Sequence, residues 1–344
     1  MPFYRLLRPL VFALDAERAH KLSLTALSML PAGGAPTRFD PCLASRVAGI
    51  DFPSPVGLAA GYDKDAQAPD QLLGLGFGFV EVGTLTPLPQ QGNPRPRLFR
   101  LVEDRAVINR MGFNNGGQSD AHERLARRAR RGIVGVNIGA NKDAADRIAD
   151  YAAGAARMAD VADYLTINIS SPNTPGLRAL QDRASLEDLL SRTLAACGPE
   201  RPPVFLKVAP DLEPADIDDI AAVALEKGID ALIVSNTTIS RPALHSRHGQ
   251  EAGGLSGAPL RALALQRLRD FRKATGGALP LIGAGGIASA EDAYARIRAG
   301  ASLIQLYSAL VYEGPGLAAR IASGLAALLK RDGFANVAEA VGRE

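Results

Sequence analysis

Two lysines, several asparagines and a pair of serines stand at the ends of apolar stretches in this chain, and their types and spacing suggest what they could bind. Lys64 follows Val56–Ala60, Asn137 follows Ile133–Val136, Lys207 lies within Val204–Val208, and Ser235-Asn236-Thr237 follow Ala231–Val234. The densest cluster is Leu165–Gly176, where an apolar run turns abruptly into Asn168-Ile169-Ser170-Ser171-Pro172-Asn173-Thr174-Pro175-Gly176. Such a junction reads as a buried strand ending in a rigid loop. Amides and hydroxyls held there offer donors and acceptors with little rotational freedom, which suits the orientation of a polar, planar ligand. Taken alone, the stretch is equally well explained as a polar turn closing a strand. A lysine beside a buried run is costly unless it meets an anion, so Lys64 and Lys207 together imply negative charge on the ligand.

The elements that must position these residues follow a repeat. Eight apolar runs, Val56–Ala60, Phe79–Val82, Ile133–Val136, Tyr164–Ile167, Val204–Val208, Ala231–Val234, Leu279–Ile282 and Leu303–Leu306, each end in polar or glycine residues. Helix-like segments lie between them, including Asp65–Leu75, Ser185–Ala196, Pro214–Lys227, Pro259–Ala274, Ala290–Arg298 and Leu317–Leu329. Eight strand–helix repeats predict a closed parallel (β/α)8 TIM barrel, with an open doubly wound α/β sheet as the alternative. In a barrel all eight strand C-termini converge, so Gly61-Tyr62-Asp63-Lys64, Gly83-Thr84, Asn137, Asn168–Asn173, Lys207 and Ser235–Thr237 become neighbours. Gly285-Gly286 after the seventh run and Tyr307-Ser308 after the eighth fall where barrels build a phosphate cradle from backbone amides and a helix start. Gly253–Gly257 adds a flexible loop nearby. This combination suits a phosphorylated cofactor such as FMN, its phosphate at the cradle and the lysines facing the electron-rich end of the ring.

The first forty residues differ from the rest. Phe3, Leu6, Leu7, Leu10, Val11 and Leu14 recur at helical spacing, Pro9 should kink or restart that helix, and Asp15 can cap a second helix bearing Leu22, Ala26, Met29 and Leu30. Asp15 and Glu17 interrupt the apolar run well short of a membrane span or a signal-peptide core. Two short amphipathic helices remain, which either cover the barrel end or lie in a lipid headgroup region. Pro31–Pro36 reads as a linker, and Ser45–Phe52 as a hairpin preceding the main sheet. The 344 residues are 47% hydrophobic and 22% charged, with a formal charge of +3, which is too small to argue for nucleic acid. Cys42 and Cys197 are far apart without redox or ligand spacing, and His20, His122, His245 and His248 show no zinc-type pattern, so neither disulfide nor metal is expected.

Gly57–Asp65, Asn109-Arg110-Met111-Gly112-Phe113-Asn114-Asn115 and Asn168–Leu177 resemble dihydroorotate dehydrogenases, and specifically their class 2, quinone-linked branch. Leu14–His20 resembles the amphipathic N-terminal extension of class 2, which soluble class 1 enzymes lack. The resemblance covers nearly the whole chain. It implies oxidation of dihydroorotate to orotate, with loss of a proton from C5 and a hydride from C6 to FMN, in pyrimidine biosynthesis, and a membrane quinone as final acceptor. Ser171 stands at the position of the active-site base, where class 1 carries a cysteine; a serine is a poor base and needs a relay such as Thr174 or another loop hydroxyl. The implied substrate ligands are Lys64, Asn109, Arg110, Met111, Gly112, Phe113, Asn168, Asn173, Asn236 and Thr237. Those implied for FMN are Ala60, Gly61, Tyr62, Asp63, Lys64, Thr84, Asn137, Asn168, Lys207, Ser235, Gly257, Gly286, Tyr307 and Ser308. His20, Arg100 and Tyr312 are expected near the quinone head group. Two departures from the family pattern are Ser235, where threonine is common, and Ala140, where lysine is common.

From the resemblance, residues 1–36 are expected to form a membrane- and quinone-access element, and 37–344 the FMN-binding barrel. The chain is expected to act as a monomer, peripheral to the membrane and on the cytoplasmic side of the inner membrane if bacterial. Three other readings compete. Another FMN-dependent barrel acting on pyrimidines would carry a cysteine in place of Ser171. A non-redox phosphate-binding barrel would bind no chromophore, and a membrane-binding scaffold would need none of the strand-end amides.

Overall fold

The computed structural model describes residues 2–31 and 37–344. The chain begins with two helices, α1 (Pro2–Ala13) and α2 (Ala16–Ser28). Pro9 lies inside α1, which the backbone carries as one helix rather than two. Asp15 caps α2 as expected, its carboxylate accepting from the N–H groups of Glu17 and Arg18 at 3.1 and 3.0 Å. Most of the linker expected at Pro31–Pro36, and the side chain of Phe3, lie outside the described residues. The hairpin β1 (Ser45–Val47) and β2 (Ile50–Phe52) then leads into the main sheet.

In chain order the next elements are β3 (Val56–Leu58), α3 (Pro69–Leu73), β4 (Phe79–Leu85), β5 (Leu98–Leu101), β6 (Ala106–Asn109), α4 (Gln118–Ala126), β7 (Ile133–Ile138), α5 (Arg147–Met158), β8 (Tyr164–Asn168), α6 (Arg183–Ala196) and β9 (Val204–Val208). They are followed by α7 (Pro214–Glu226), β10 (Ala231–Val234), β11 (Gly254–Gly257), α8 (Arg261–Ala274), β12 (Leu281–Ala284), α9 (Ala290–Arg298), β13 (Ala301–Leu306), α10 (Ser308–Glu313), α11 (Leu317–Arg331) and α12 (Val337–Ala340). Strands β3, β4, β7, β8, β9, β10, β12 and β13 pair in parallel and close into one barrel, so the closed alternative holds and the open sheet does not. Every residue of β4, β8 and β9 is buried. That is the signature of strands covered on both faces, and it explains why their sequences read as continuous apolar runs rather than alternating ones.

At the N-terminal end of the strands, Val47 and Phe52 of the hairpin pack with Phe79, Tyr164 and Phe205 inside the barrel, where the Tyr164 and Phe205 rings stack at 4.4 Å. The opposite end carries a three-stranded antiparallel sheet, β11–β6–β5, with its own small core of Phe99, Leu101, Ala106, Ile108 and Leu255. The sequence reading missed this sheet and took Gly253–Gly257 for a flexible loop. Glycine-rich residues carry little strand signal of their own. Here they become an edge strand because β6, far away in sequence, supplies the ladder, with Gly254 opposite Asn109 and Gly257 opposite Ala106. The helix expected over Asp65–Leu75 shortens to α3 because Asp63 accepts from the N–H groups of Gln67 and Ala68, both at 2.8 Å, and Ala66 takes a positive φ. That turn delays the helix until Pro69, a residue suited to its first position.

Candidate active site

A cavity of about 1030 Å³ extends from Leu7, Phe12 and Ala26 on α1 and α2 to Ser171, Asn173 and Lys207 at the strand ends. Its deep wall rests on a buried polar network. The Glu81 carboxylate, fully buried on β4, accepts from Asn137 Nδ2 (2.7 Å), Gln305 Nε2 (2.7 Å), Thr166 Oγ1 (3.1 Å) and the Tyr164 hydroxyl (3.2 Å). With the Asn137 nitrogen donating to Glu81, the amide is turned with its oxygen toward the cavity side. That oxygen then accepts from Thr84 Oγ1 (2.6 Å) and Asn168 Nδ2 (3.2 Å). The polarity continues outward, for Asn168 Oδ1 accepts from Asn236 Nδ2 (3.3 Å) and Ser170 Oγ (3.1 Å). The amides facing the cavity therefore have their donor and acceptor ends set from below.

Ser171 is 6% exposed and lines the cavity, its Oγ accepting from the Asn173 N–H at 3.3 Å. Asn173 Nδ2 donates to Asn109 Oδ1 at 3.1 Å, which joins the loop after β8 to the end of β6. Lys64 reaches Gly61 O at 2.6 Å; burial lowers its ammonium to about 8 against the opposing pull of Asp65 and Glu17. Lys207 is 6% exposed and has no carboxylate within ion-pair distance among the described residues. Burial lowers its pKa, and the charge of Glu81 acts in the other direction. Two buried cations facing one cavity ask for an anionic ligand.

Of the other residues implied for substrate or cofactor, Ala60, Gly61, Tyr62, Thr84, Met111, Gly112, Phe113, Asn168, Ser235, Asn236, Thr237, Gly257, Gly286, Tyr307 and Ser308 line the same cavity. Three do not, and their side chains are otherwise engaged. Asp63 makes the turn before α3, Asn137 sits behind Thr84 and Asn168, and Arg110 pairs with Glu251 at 2.8 Å and lies over the Phe99 ring. Thr174 is buried beside Ser171 but does not line the cavity.

The residues present fit a flavin mononucleotide. Gly286, at φ +72°, brings bare backbone to the cavity where a Cβ would stand 2.4 Å from the Cα of Arg261. Ser308 at the start of α10 donates to Ser256 Oγ at 2.7 Å on the adjoining wall. This polar end suits a phosphate, while Lys207 and the amides suit the polar edge of a ring.

Toward the helices the cavity changes character. His20 lies edge-on to Tyr62 (5.1 Å between centroids) and 3.5 Å from the Tyr307 hydroxyl, and burial reinforced by Lys64 lowers its imidazole to about 3. Arg100 lines the cavity but spends its guanidinium on carbonyls at the end of α1, including Val11 O at 3.1 Å, and stacks over Phe12. Tyr312 likewise presents its ring, its hydroxyl donating to Ala106 O at 2.6 Å and Leu101 O at 3.1 Å.

Sequence reasoning missed three supports. Glu17 of α2 is buried against Arg97, which donates to both its oxygens at 3.0 and 2.8 Å and holds the carboxyl down to about 2. Arg178 ties Ser170 O (3.1 Å) to Thr237 O (3.0 Å) while pairing with Asp211 at 2.9 Å. Glu81 is the third, and it left a signal: a lone carboxylate inside Phe79-Val80-Glu81-Val82 has to meet buried donors. Glu17 and Arg178 sit in polar stretches where only the partner, distant in sequence, distinguishes them from surface charges.

The sequence profile of the dihydroorotate dehydrogenase family matches residues 42–329. The chain is 68% identical to a dihydroorotate dehydrogenase (quinone) of Sphingopyxis alaskensis over 98% of this chain and 96% of that one. It is 64% identical to a protein of the same name from Novosphingobium aromaticivorans, over 99% of each. Among solved structures it is similar to the dihydroorotate dehydrogenase of Eimeria tenella in complex with ferulenol, with a TM-score of 0.91, 43% identity and coverage of 96% and 95%.

Proposed function

This chain belongs to the dihydroorotate dehydrogenase family, in its quinone-dependent class, and on that premise we propose that the cavity hosts both halves of the reaction, substrate oxidation at the strand ends and quinone reduction under α1 and α2. The enzyme oxidises dihydroorotate to orotate, the flavin-dependent, ring-unsaturating step of pyrimidine biosynthesis. The observation that carries the spatial reading is the continuity of one cavity from Ser171 and Lys207 to the N-terminal helices.

In this reading the flavin is FMN, one per chain, held by Gly257, Gly286 and Ser308 at its phosphate and by Thr84, Asn168, Lys207 and Ser235 along its ring. When bound, it accepts the hydride leaving C6 of the substrate. Lys64 meets the substrate carboxylate, and Asn109, Asn173, Asn236 and Thr237 pair with the donors and acceptors of the pyrimidine. Ser171 Oγ takes the C5 proton while its own hydroxyl proton passes to a hydrogen-bonded relay, a loop hydroxyl or water, and the Asn173 N–H fixes the orientation of the oxygen. Lys207 lies ready to balance negative charge gathering at the ring edge.

Residues 1–36 serve as the membrane and quinone-access element and 37–344 as the catalytic barrel, with the protein acting as a monomer. Leu6, Leu10, Leu22 and Met29 are between 58% and 79% exposed, an apolar surface suited to peripheral insertion at a lipid interface. No helix among the described residues is long and apolar enough to cross a membrane. If bacterial, the protein acts at the cytoplasmic face of the inner membrane.

The test is spectroscopic. Purified protein should be yellow, lose its visible flavin band on anaerobic addition of dihydroorotate, and regain it with a long-tail quinone. A colourless protein, or one whose band dihydroorotate leaves unchanged, overturns the reading.

A further inference from the structure

Arg296, on α9, is 1% exposed, and no carboxylate lies within ion-pair distance of it among the described residues, since Asp292 pairs with Arg261 instead. Its Nη2 donates to Gly285 O at 2.9 Å and to Arg261 O at 2.8 Å, while its buried Nε has no partner among the described residues. Room for the side chain comes from Gly283 of β12, where a Cβ would stand 3.3 Å from Arg296 Cβ and 3.4 Å from its Cδ. Burial lowers the guanidinium to about 10 against the opposing pull of Asp292, so it stays charged at neutral pH. A position in the last turn of α9 favours a cation. That favour could equally be had from an exposed arginine, and it does not account for desolvating this one when the carboxylate that acts on it, Asp292, is already paired with Arg261.

The carbonyl that Arg296 holds belongs to the peptide whose N–H is that of Gly286, a residue lining the cavity. A cation hydrogen-bonded to the carbonyl side of a peptide polarises its N–H side. We propose that Arg296 is a positioning residue for the phosphate of the bound flavin nucleotide, fixing the Gly285–Gly286 turn and placing a buried positive charge behind the cradle. The inference rests on the FMN reading and deepens it. Asp292, shared with Arg261, answers this charge only in part, and a phosphate dianion held at the Gly286 N–H would complete it.

FMN and riboflavin differ only by the phosphate, so comparing them isolates the effect. Full-length protein stripped of flavin is titrated with each, following flavin fluorescence, for the parent, Arg296→Gln, Arg296→Met and Arg296→Lys. The parent should prefer FMN, and the two neutral variants should lose affinity for FMN by about tenfold while riboflavin affinity stays within about twofold, the effect of removing one buried charge several ångströms from another. Arg296→Lys should restore most of the preference. Equal losses for both flavins, no loss for either, or neutral variants that cannot fold even without flavin would assign Arg296 to packing and overturn the proposal. A parent that binds neither flavin, or both equally, brings down the FMN reading itself, and this inference with it.

Discussion

The two ends of the cavity are built on opposite principles. At the strand ends almost every polar side chain already has a partner inside the protein, from Glu81 through Asn137, Thr84 and Asn168 to Asn236. Under α1 and α2 the lining is mostly leucine, alanine and aromatic rings, with His20 and Ser23 among them, and Arg100 and Tyr312 turn their polar atoms onto backbone carbonyls. A network with fixed donor and acceptor directions selects one small polar molecule and holds it for proton and hydride loss. An apolar passage with its polar atoms occupied accepts a flat, greasy molecule with little demand on its shape. On the proposed reading, polarity rather than a wall divides the cavity between two chemically unlike ligands.

The sharpest way to break the comparison is to damage one end and ask whether the other still works. Ser171→Ala should retain FMN yet slow flavin reduction by dihydroorotate about a hundredfold or more, the usual contribution of a general base, with quinone-driven reoxidation unaltered. Anaerobic stopped-flow reduction at the parent rate would remove Ser171 from the proton step. Deleting residues 1–36 should do the reverse, leaving flavin reduction intact while turnover with long-tail quinones and membrane co-sedimentation are lost. Loss of both half-reactions would show instead that the two helices hold the barrel together.

A smaller effect tests how the helical end is attached. Glu17 joins α2 to Arg97, and its carboxyl is lowered from 4.5 to about 2 in the folded protein. A depressed carboxyl stabilises the fold above its unfolded value, so this contribution is complete above pH 4.5 and fades as the pH falls toward 2. Glu17→Gln should cost up to about 3 kcal/mol at pH 7, by the linkage value of the shift, and the gap from the parent should narrow below pH 4.5. Urea denaturation across that range, with proteolysis to locate the loosened segment, measures both.

The smallest effects are in the pH profiles, where the two ends should differ again. Lys64, lowered to about 8, is charged below that pH, so kcat/KM for dihydroorotate should fall as the pH rises past 8 and the free enzyme loses its cation. His20, lowered to about 3, is neutral throughout the working range, so quinone reoxidation should show no inflection between pH 5 and 8 from this residue. An inflection near 6.5 that disappears in His20→Gln would show the imidazole to be solvated and titrating.

Much of this was legible in the order of residues because its causes are local. A strand buried on both faces must be apolar along its whole length, so the eight runs announced the barrel, and polar residues ending such runs had to fall on one rim. Asp15 announced α2 because a cap acts within one turn. What tertiary structure alone decided depends on partners far apart in sequence. Gly254–Gly257 is a strand only because β6 pairs with it, and Arg110 and Asn137 fall away from the cavity only because Glu251 and Glu81 claim them. Glu17, Arg178 and Arg296 look like ordinary surface charges until folding brings their partners to them, because a charge's role is set by the environment brought around it and not by its neighbours in the chain.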